Sequence, residues 1–407
     1  MHVAAVEPFL PDILSDRLES LAVELPLAAG QFSGRLAPQV RLAVGELVRS
    51  MNCYYSNLIE GHDTHPHDID RALAADYSAD PEKRALQLEA RAHIEVQRMI
   101  DGGQAPKASP LSLDYILWTH HEFCSRLPPE VLWVEDPKTK EKLPVIPGEL
   151  RTRIVAIGNH VPPPPEDLPA FMARFEAAYK LDSKLKQLVS VAASHHRLAW
   201  IHPFLDGNGR VARLISHAML KGLGIGSTLW SVSRGLARSV ADYKANLMAA
   251  DELRQGDLDG RGNLSRKNLI AFCEYFLAQC LDQVRFMERL LAPSLLSDRI
   301  QQQVLEEERK GTLANGAHRL MRAALESGEV PRGEVPAIVQ ASERTGQRIT
   351  KSLIENGYLQ SEGHTGALLF TIPSATRDRW FPSLYMNLPA SVEYSVSAES
   401  QDPGHIA

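Results

Sequence analysis

Through most of this 407-residue chain, apolar side chains return every three, four or seven positions, the spacing that gathers them on one face of a helix. In "APQVRLAVGELVRSMNCYYSNLIEG" the returning residues are Val40, Val44, Leu47, Met51, Leu58 and Ile59, and Gly61 stops the run. "PEKRALQLEARAHIEVQRMI" opens on a proline and ends before Gly102-Gly103; "LSLDYILWTHHEFCSRL" predicts another helix. "KLKQLVSVAASHHRLAWIHPF" is apolar along Leu185, Leu188, Val189, Ala192 and Ala199 and reads as a buried helix. Pro203 biases His202 away from helical geometry, so this helix should end there. The next helix carries Val211, Leu214, Ile215, Ala218 and Met219 on one face and stops at Gly222 and Gly224. No run suits a strand of a central sheet, and no internal repeat is present. The expected fold class is therefore all-α over the first three quarters of the chain.

Two regions depart from this pattern. Residues 128 to 166 are rich in Pro and Gly, and "RTRIVAIG" has the β-branched residues of a short extended segment. From about residue 313 the order reads helix, helix, turn, helix and then two strands, the second in "ALLFTIP". That order resembles a winged helix-turn-helix domain over 313–385. The tail 386–407, "MNLPASVEYSVSAESQDPGHIA", lacks periodicity and is expected to be disordered.

Composition removes several classes. A net charge of −6 does not suit a chain that coats nucleic acid or a membrane surface. No apolar run approaches the roughly 20 residues of a membrane span. "MHVAAVEPFLPDIL" lacks the basic start of a signal peptide and is broken by Pro8 and Pro11. Cys53, Cys124, Cys273 and Cys280 show no CxxC spacing, which points to reduced thiols and a cytoplasmic protein.

The chemistry concentrates in "IHPFLDGNGR", residues 201–210. Gly207 and Gly209 can take positive φ and let backbone N–H groups converge. A helix starts near Arg210, and its N-terminal amides favour an anion. Arg210 and Arg213 are neighbours on that first turn and suit a polyphosphate. Asp206 stands where a carboxylate could hold Mg²⁺ against phosphate oxygens. An unperturbed imidazole at His202 would titrate near neutrality, which suits a general base. Taken singly, each feature is ordinary: a turn, a structural histidine, a solvated basic face. Their conjunction within twelve residues points to phosphate chemistry.

The same stretch resembles the HPFx[DE]GNGRxxR signature of the Fic family at His202, Pro203, Phe204, Asp206, Gly207, Asn208, Gly209, Arg210 and Arg213. The resemblance implies an all-α Fic fold with a β-hairpin flap. It also implies transfer of AMP from ATP to a Ser, Thr or Tyr hydroxyl of a target protein, with ATP and Mg²⁺ as cofactors. His202 would be the base and Asp206 would hold the metal. The amides of Gly207 to Gly209, with Asn208, would steady the α-phosphate, and Arg210 and Arg213 would bind the outer phosphates. Tyr243 would lie against the nucleotide, core packing being the alternative. The flap is expected over about 147–162, with Ile157 over the active site. "SNLIEG" resembles the family's inhibitory motif through Ser56, Glu60 and Gly61, and it implies that Glu60 takes Arg213 from the γ-phosphate.

The expected organisation is a helical region over 1–110 with the inhibitory helix at about 38–60, then a Fic core over 111–290, then the winged-helix region. Removal of AMP from a modified target is the alternative activity; a transcription regulator binding DNA through residues 313–385 is the alternative class. In residues 318–385 eight Lys and Arg face seven Asp and Glu, a balance that favours protein contact over DNA. Self-modification and a homodimer stay open, and no membrane partner is expected.

Overall fold

The computed structural model describes residues 1–136, 139–158 and 160–385. The tail expected to be disordered, 386–407, lies outside the described residues. Helices come first: α1 (Asp16–Gly34), α2 (Pro38–Ile59), α3 (Pro66–Leu73), α4 (Pro81–Asp101) and α5 (Leu113–Cys124). A hairpin of β1 (Trp133–Glu135) and β2 (Lys142–Pro144) follows. Helices resume with α6 (Leu168–Ala178), α7 (Lys184–Ile201), α8 (Asn208–Gly222), α9 (Val232–Arg238), α10 (Val240–Ala249), α11 (Arg266–Leu290) and α12 (Pro293–Lys310). The last part holds α13 (Ala317–Ser327), β3 (Glu329–Val330), α14 (Val335–Val339), α15 (Glu343–Glu355), β4 (Leu359–Gln360), β5 (Leu368–Phe370) and α16 (Arg377–Trp380).

Helix starts follow local chemistry. The hydroxyls of Ser15, Ser112, Ser183 and Ser265 accept from the first-turn amides of α1, α5, α7 and α11, and Asp80 does so for α4. Proline opens α2 and α4, where its missing N–H costs nothing. Helices α7, α8 and α11 form the centre. α11 packs on α1, α7 and α9, while α2 packs on α4 and α9. Phe204, Phe272, Phe276 and Trp230 fill this centre.

A regular hairpin forms ahead of the stretch expected as the flap. Regular pairing, Trp133 to Pro144 and Glu135 to Lys142, falls before the expected flap at 147–162. Within that stretch the pairing is an isolated bridge between Ile157 and His160. Pro147 and Pro162–Pro165 lack the N–H that a ladder needs. Arg151 takes up the carbonyls of Arg153 and Pro163 as well.

In the last part β5 lies between β3 and β4, antiparallel to both, with Val330 opposite Leu368 and Leu359 opposite Phe370. The two-residue strand β3 is too short to leave a pattern in the sequence. After α16 the chain returns to the helical centre. Arg234 on α9 donates to the carbonyls of Leu384 (3.2 Å) and Ser383 (2.9 Å), and the Tyr55 hydroxyl of α2 donates to the Leu384 carbonyl at 2.9 Å. Tyr385 meets the ring of Tyr54 edge-on, and Arg377 pairs with Asp70 on α3.

Buried histidines make this fold sensitive to acid. Burial, with Arg213 adding, pulls His93 and His195 down to about 3. Burial likewise pulls His120 and His202 down to about 4. Unfolding returns each ring to its ordinary affinity, so the unfolded chain binds more protons below pH 6.5. The stabilisation is complete above that pH and is lost as pH falls toward the folded values. Burial lowers His196 as well; His62 runs the other way, raised by its bond to Glu89, but it is one group against five. The urea midpoint is expected to fall between pH 7.5 and 5.5. Neither ring nitrogen of His93 has a hydrogen-bond partner among the described residues. His93→Leu should therefore reduce the slope by up to about 1.4 kcal/mol per pH unit. A flat profile in the wild type would contradict the titration account.

Candidate functional site

The site is a turn between two buried helices. Helix α7 ends at Ile201, and His202, its cap, is left-handed at φ 51° and ψ 62°. The residue before a proline is usually extended, so this conformation must be held by its surroundings. Three contacts hold it. The His202 N–H donates to the Leu198 carbonyl at 3.0 Å, Arg151 Nε donates to the His202 carbonyl at 2.8 Å, and the Arg151 N–H donates to the Pro203 carbonyl at 2.9 Å. Arg151 is a residue the sequence reading missed. It ties the segment after the hairpin to the turn.

Asn208 staples the loop from inside. Its side-chain oxygen accepts the Phe204 N–H at 2.9 Å, and its Nδ2 donates to the Phe204 carbonyl at 2.8 Å. This amide is committed to the loop, so its direct contribution is to loop shape. Phe204 stacks on His120 with ring centroids 3.8 Å apart. His120 Nδ1 accepts the Gly148 N–H at 2.9 Å, which leaves Nε2 to donate toward the Asp206 carbonyl at 3.3 Å. His120 therefore joins the base of the flap segment to the loop. It, too, was not singled out from sequence.

Gly207 has φ 81° and caps α8, as expected for glycine there. Gly209 differs from expectation: it lies inside α8 and is absent from the positive-φ glycines. A Cβ on Gly209 would run into Glu60 Oε1 and lie 3.1 Å from Arg213 Nη1. Glycine is needed here for close approach, not for backbone freedom.

The two arginines are both occupied. Arg213 is 1% exposed; Nε donates to Ser56 Oγ at 2.8 Å, and Nη2 reaches the Ser56 carbonyl at 3.1 Å and Glu60 Oε1 at 2.5 Å. Burial opposes the charge of Glu60, but Arg213 and then Arg210 outweigh it and hold its carboxyl below the usual range. Gly61 has φ 85° and ends this turn. Arg210 is 7% exposed and pairs with Glu89 of α4 at 2.9 Å, with Asp206 farther off at 3.8 Å. Glu89 was not singled out from sequence.

His202 is kept neutral: burial pulls it down to about 4 against the Ala199 carbonyl, with Arg151 and His160 adding to the effect. Asp206 has a half-exposed carboxylate. Such a lone carboxylate fits Mg²⁺, which keeps several waters and takes phosphate oxygens as ligands. Among the described residues no group of three or more His, Cys, Asp or Glu could hold a metal. Tyr243 is buried; its hydroxyl bonds His195 Nε2 at 2.7 Å and touches Arg213, so it packs behind the arginine. Ile157 is 41% exposed, and His160, its bridge partner, bonds the Trp200 carbonyl at 2.7 Å.

Comparison with known proteins agrees with this geometry. Residues 110–220 match the Fic/DOC family. These residues are a Fic domain. The chain is 31% identical over 170 residues to protein adenylyltransferase Fic of Nematostella vectensis, across 41% of this chain and 36% of that protein. It is 43% identical over 79 residues to protein adenylyltransferase Fic of Drosophila willistoni, across 19% of this chain and 16% of that protein. The matches thus span 36% of the first relative's length and 16% of the second's. A solved Fic family protein from Desulfovibrio desulfuricans G20 has the same fold, with a TM-score of 0.52 at 17% identity over 89% of this chain and 98% of that one. Fic-1 from C. elegans is similar in fold over 68% of this chain and 73% of that chain, with TM-score 0.52 and 17% identity. The Fic domain match ends within α8, so α9 to α11 are placed with the domain by packing alone.

Proposed function

We propose that this chain is a protein adenylyltransferase that moves AMP from ATP to a Ser, Thr or Tyr hydroxyl of a target protein, and that Glu60 restrains it. The observation that carries the reading is the buried grip of Ser56 and Glu60 on Arg213, beside the turn that presents His202 and Asp206. A guanidinium so placed suits a phosphate, and a carboxylate already on it is a competitor.

In the transfer, neutral His202 accepts the proton of the target hydroxyl. The oxygen forms a bond to the α-phosphorus, the bond to the β-phosphate oxygen breaks, and pyrophosphate leaves. Asp206 would hold Mg²⁺, which supplies charge neutralisation at the α- and β-phosphates when bound. The free amides at the start of α8 face developing negative charge. Arg213, once released by Glu60, would take the outer phosphates. The bridge at Ile157 and His160 leaves Ile157 exposed for a target segment.

We place the region from α13 to β5 in the winged helix-turn-helix class, since a helix, a strand, two helices and an antiparallel hairpin follow in that order. Arg344 and Arg348 are exposed on α15, but the region's charge is near balance. Contact with protein suits this balance better than DNA. Among the described residues no helix is long and apolar enough to cross a membrane.

Three outcomes follow. His202→Ala should lower transfer from labelled ATP by about 10²-fold or more, with ATP affinity by calorimetry within a few-fold of wild type. Full activity would remove His202 from the mechanism. Glu60→Gly should raise self-labelling or target labelling about 10- to 100-fold, since it removes a competitor worth roughly 1.5–3 kcal/mol. Equal labelling of wild type and Glu60→Gly would end the restraint reading, and labelling that survives in Glu60→Gly with His202→Ala would end the base assignment. The full chain should not bind duplex DNA below micromolar Kd at physiological salt. Submicromolar, steeply salt-dependent binding would reverse the reading of the last region.

A further inference from the structure

Arg210 repeats, one turn earlier on α8, the situation of Arg213. It is buried, and its Nη1 lies 2.9 Å from Glu89 Oε1. Its Nε is buried and has no hydrogen-bond partner among the described residues. One donor of this guanidinium is therefore unused. Glu89 has a second partner: His62 Nδ1 lies 3.2 Å from one carboxylate oxygen and 3.1 Å from the other. His62 is two residues past Glu60, on the turn that ends α2. The turn thus touches both arginines, Arg213 through Glu60 and Arg210 through His62 and Glu89.

We propose that Glu89 is a second acid of the phosphate site, holding Arg210 in the absence of nucleotide and staying paired with His62 when a triphosphate takes that arginine. The inference rests on the ATP reading above. Its physical basis is competition and compensation. A buried carboxylate on a phosphate-binding cation opposes the phosphate. It can give up that cation cheaply only if another stands ready, and His62 already faces both of its oxygens.

The surroundings leave few other charges to interfere. Cys53 on α2 and Cys124 on α5 face the pair, but burial pushes both thiols up, Cys124 to about 12. Glu60 at the end of α2 and Arg210 on α8 are the charges that act on His62 besides Glu89; Asp206 and Glu60 act on Arg210 from its other sides. The hydrogen bond that His62 donates to Glu89 raises its affinity for a proton, and Arg210 lowers it. When phosphates neutralise Arg210, His62 should bind its proton more strongly. Nucleotide binding then takes up a proton, so affinity weakens as pH rises.

The test is calorimetry of Mg²⁺-ATP binding to the full chain at pH 6, 7 and 8, in buffers of different ionisation enthalpy. Wild type, Glu89→Gln, His62→Gln and Glu60→Gly are compared. At pH 8 Glu89→Gln should bind about three- to tenfold more tightly than wild type, since removing a charged competitor is worth up to about one factor of ten. Wild type should take up a proton and weaken from pH 6 to 8, and His62→Gln should lose most of both effects. Tighter binding in Glu60→Gly with none in Glu89→Gln would overturn this inference and leave the ATP reading standing. Absence of binding in every variant would overturn both. Should Glu89→Gln fold poorly, the proton uptake of wild type against His62→Gln decides alone.

Discussion

Arg213 has to be satisfied where it stands, and much of the site follows from that. An almost wholly buried guanidinium without partners would cost several kcal/mol. Ser56 supplies a hydroxyl and a carbonyl, and Glu60 supplies the counter-charge. Ser56 in the last turn of α2 and Glu60 at its cap are one turn apart, so the end of that helix must lie against the start of α8. Gly209 must then lack a side chain, because Glu60 and the Arg213 guanidinium occupy the space beside it. One buried cation thus sets the contact of two helices, the identity of a glycine and the competition proposed to govern activity.

The turn itself is set independently, from the opposite side. Left-handed His202 is unfavourable for a residue with a Cβ. It is held by Arg151, by the Asn208 staple and by the stack of Phe204 on His120. Two of these holders, Arg151 and His120, lie on the segments before and after the hairpin. Residues 148–151 and the turn at His202 therefore form one hydrogen-bonded unit, and displacement of residues 148–151 would be felt at the backbone of His202.

What could be read in the sequence was whatever is local. The ends of α2, α4, α7 and α8 follow from caps, prolines and glycines, and the loop residues follow from a dense run of chemistry between two of those helices. Glu89 could not be found that way. Helical spacing shows that it shares α4 with an apolar face, but not that Arg210 and His62 meet it. Asn208 was legible as a site residue yet not as a staple, since a side-chain amide serves either purpose. The regular hairpin at 133–144 was not foreseen, whereas the β-branched residues at 151–158 give only the single bridge of Ile157 and His160. The prolines and the buried Arg151 deny that stretch a longer ladder.

The packing of α2 also bears on how Glu60 can let go. Withdrawal of the whole helix would expose Val40, Val44, Leu47, Val48 and Met51, all buried. At roughly 1.5–3 kcal/mol for each large apolar side chain, that exceeds the few kcal/mol of one ion pair. It would also break the Tyr55 bond to the Leu384 carbonyl, which Arg234 holds from α9, and the Tyr54 contact with Tyr385. The last turn is different. Glu60 is the cap residue rather than part of the helix, Gly61 is already left-handed, and His62 is partly exposed. Rotation of the Glu60 side chain, or loosening of residues 60–62, costs only the contacts to Arg213 and Glu89. Movement confined to this turn is therefore the lower-energy route, and it leaves α2 in place as the wall on which the start of α8 and the C-terminal segment both rest.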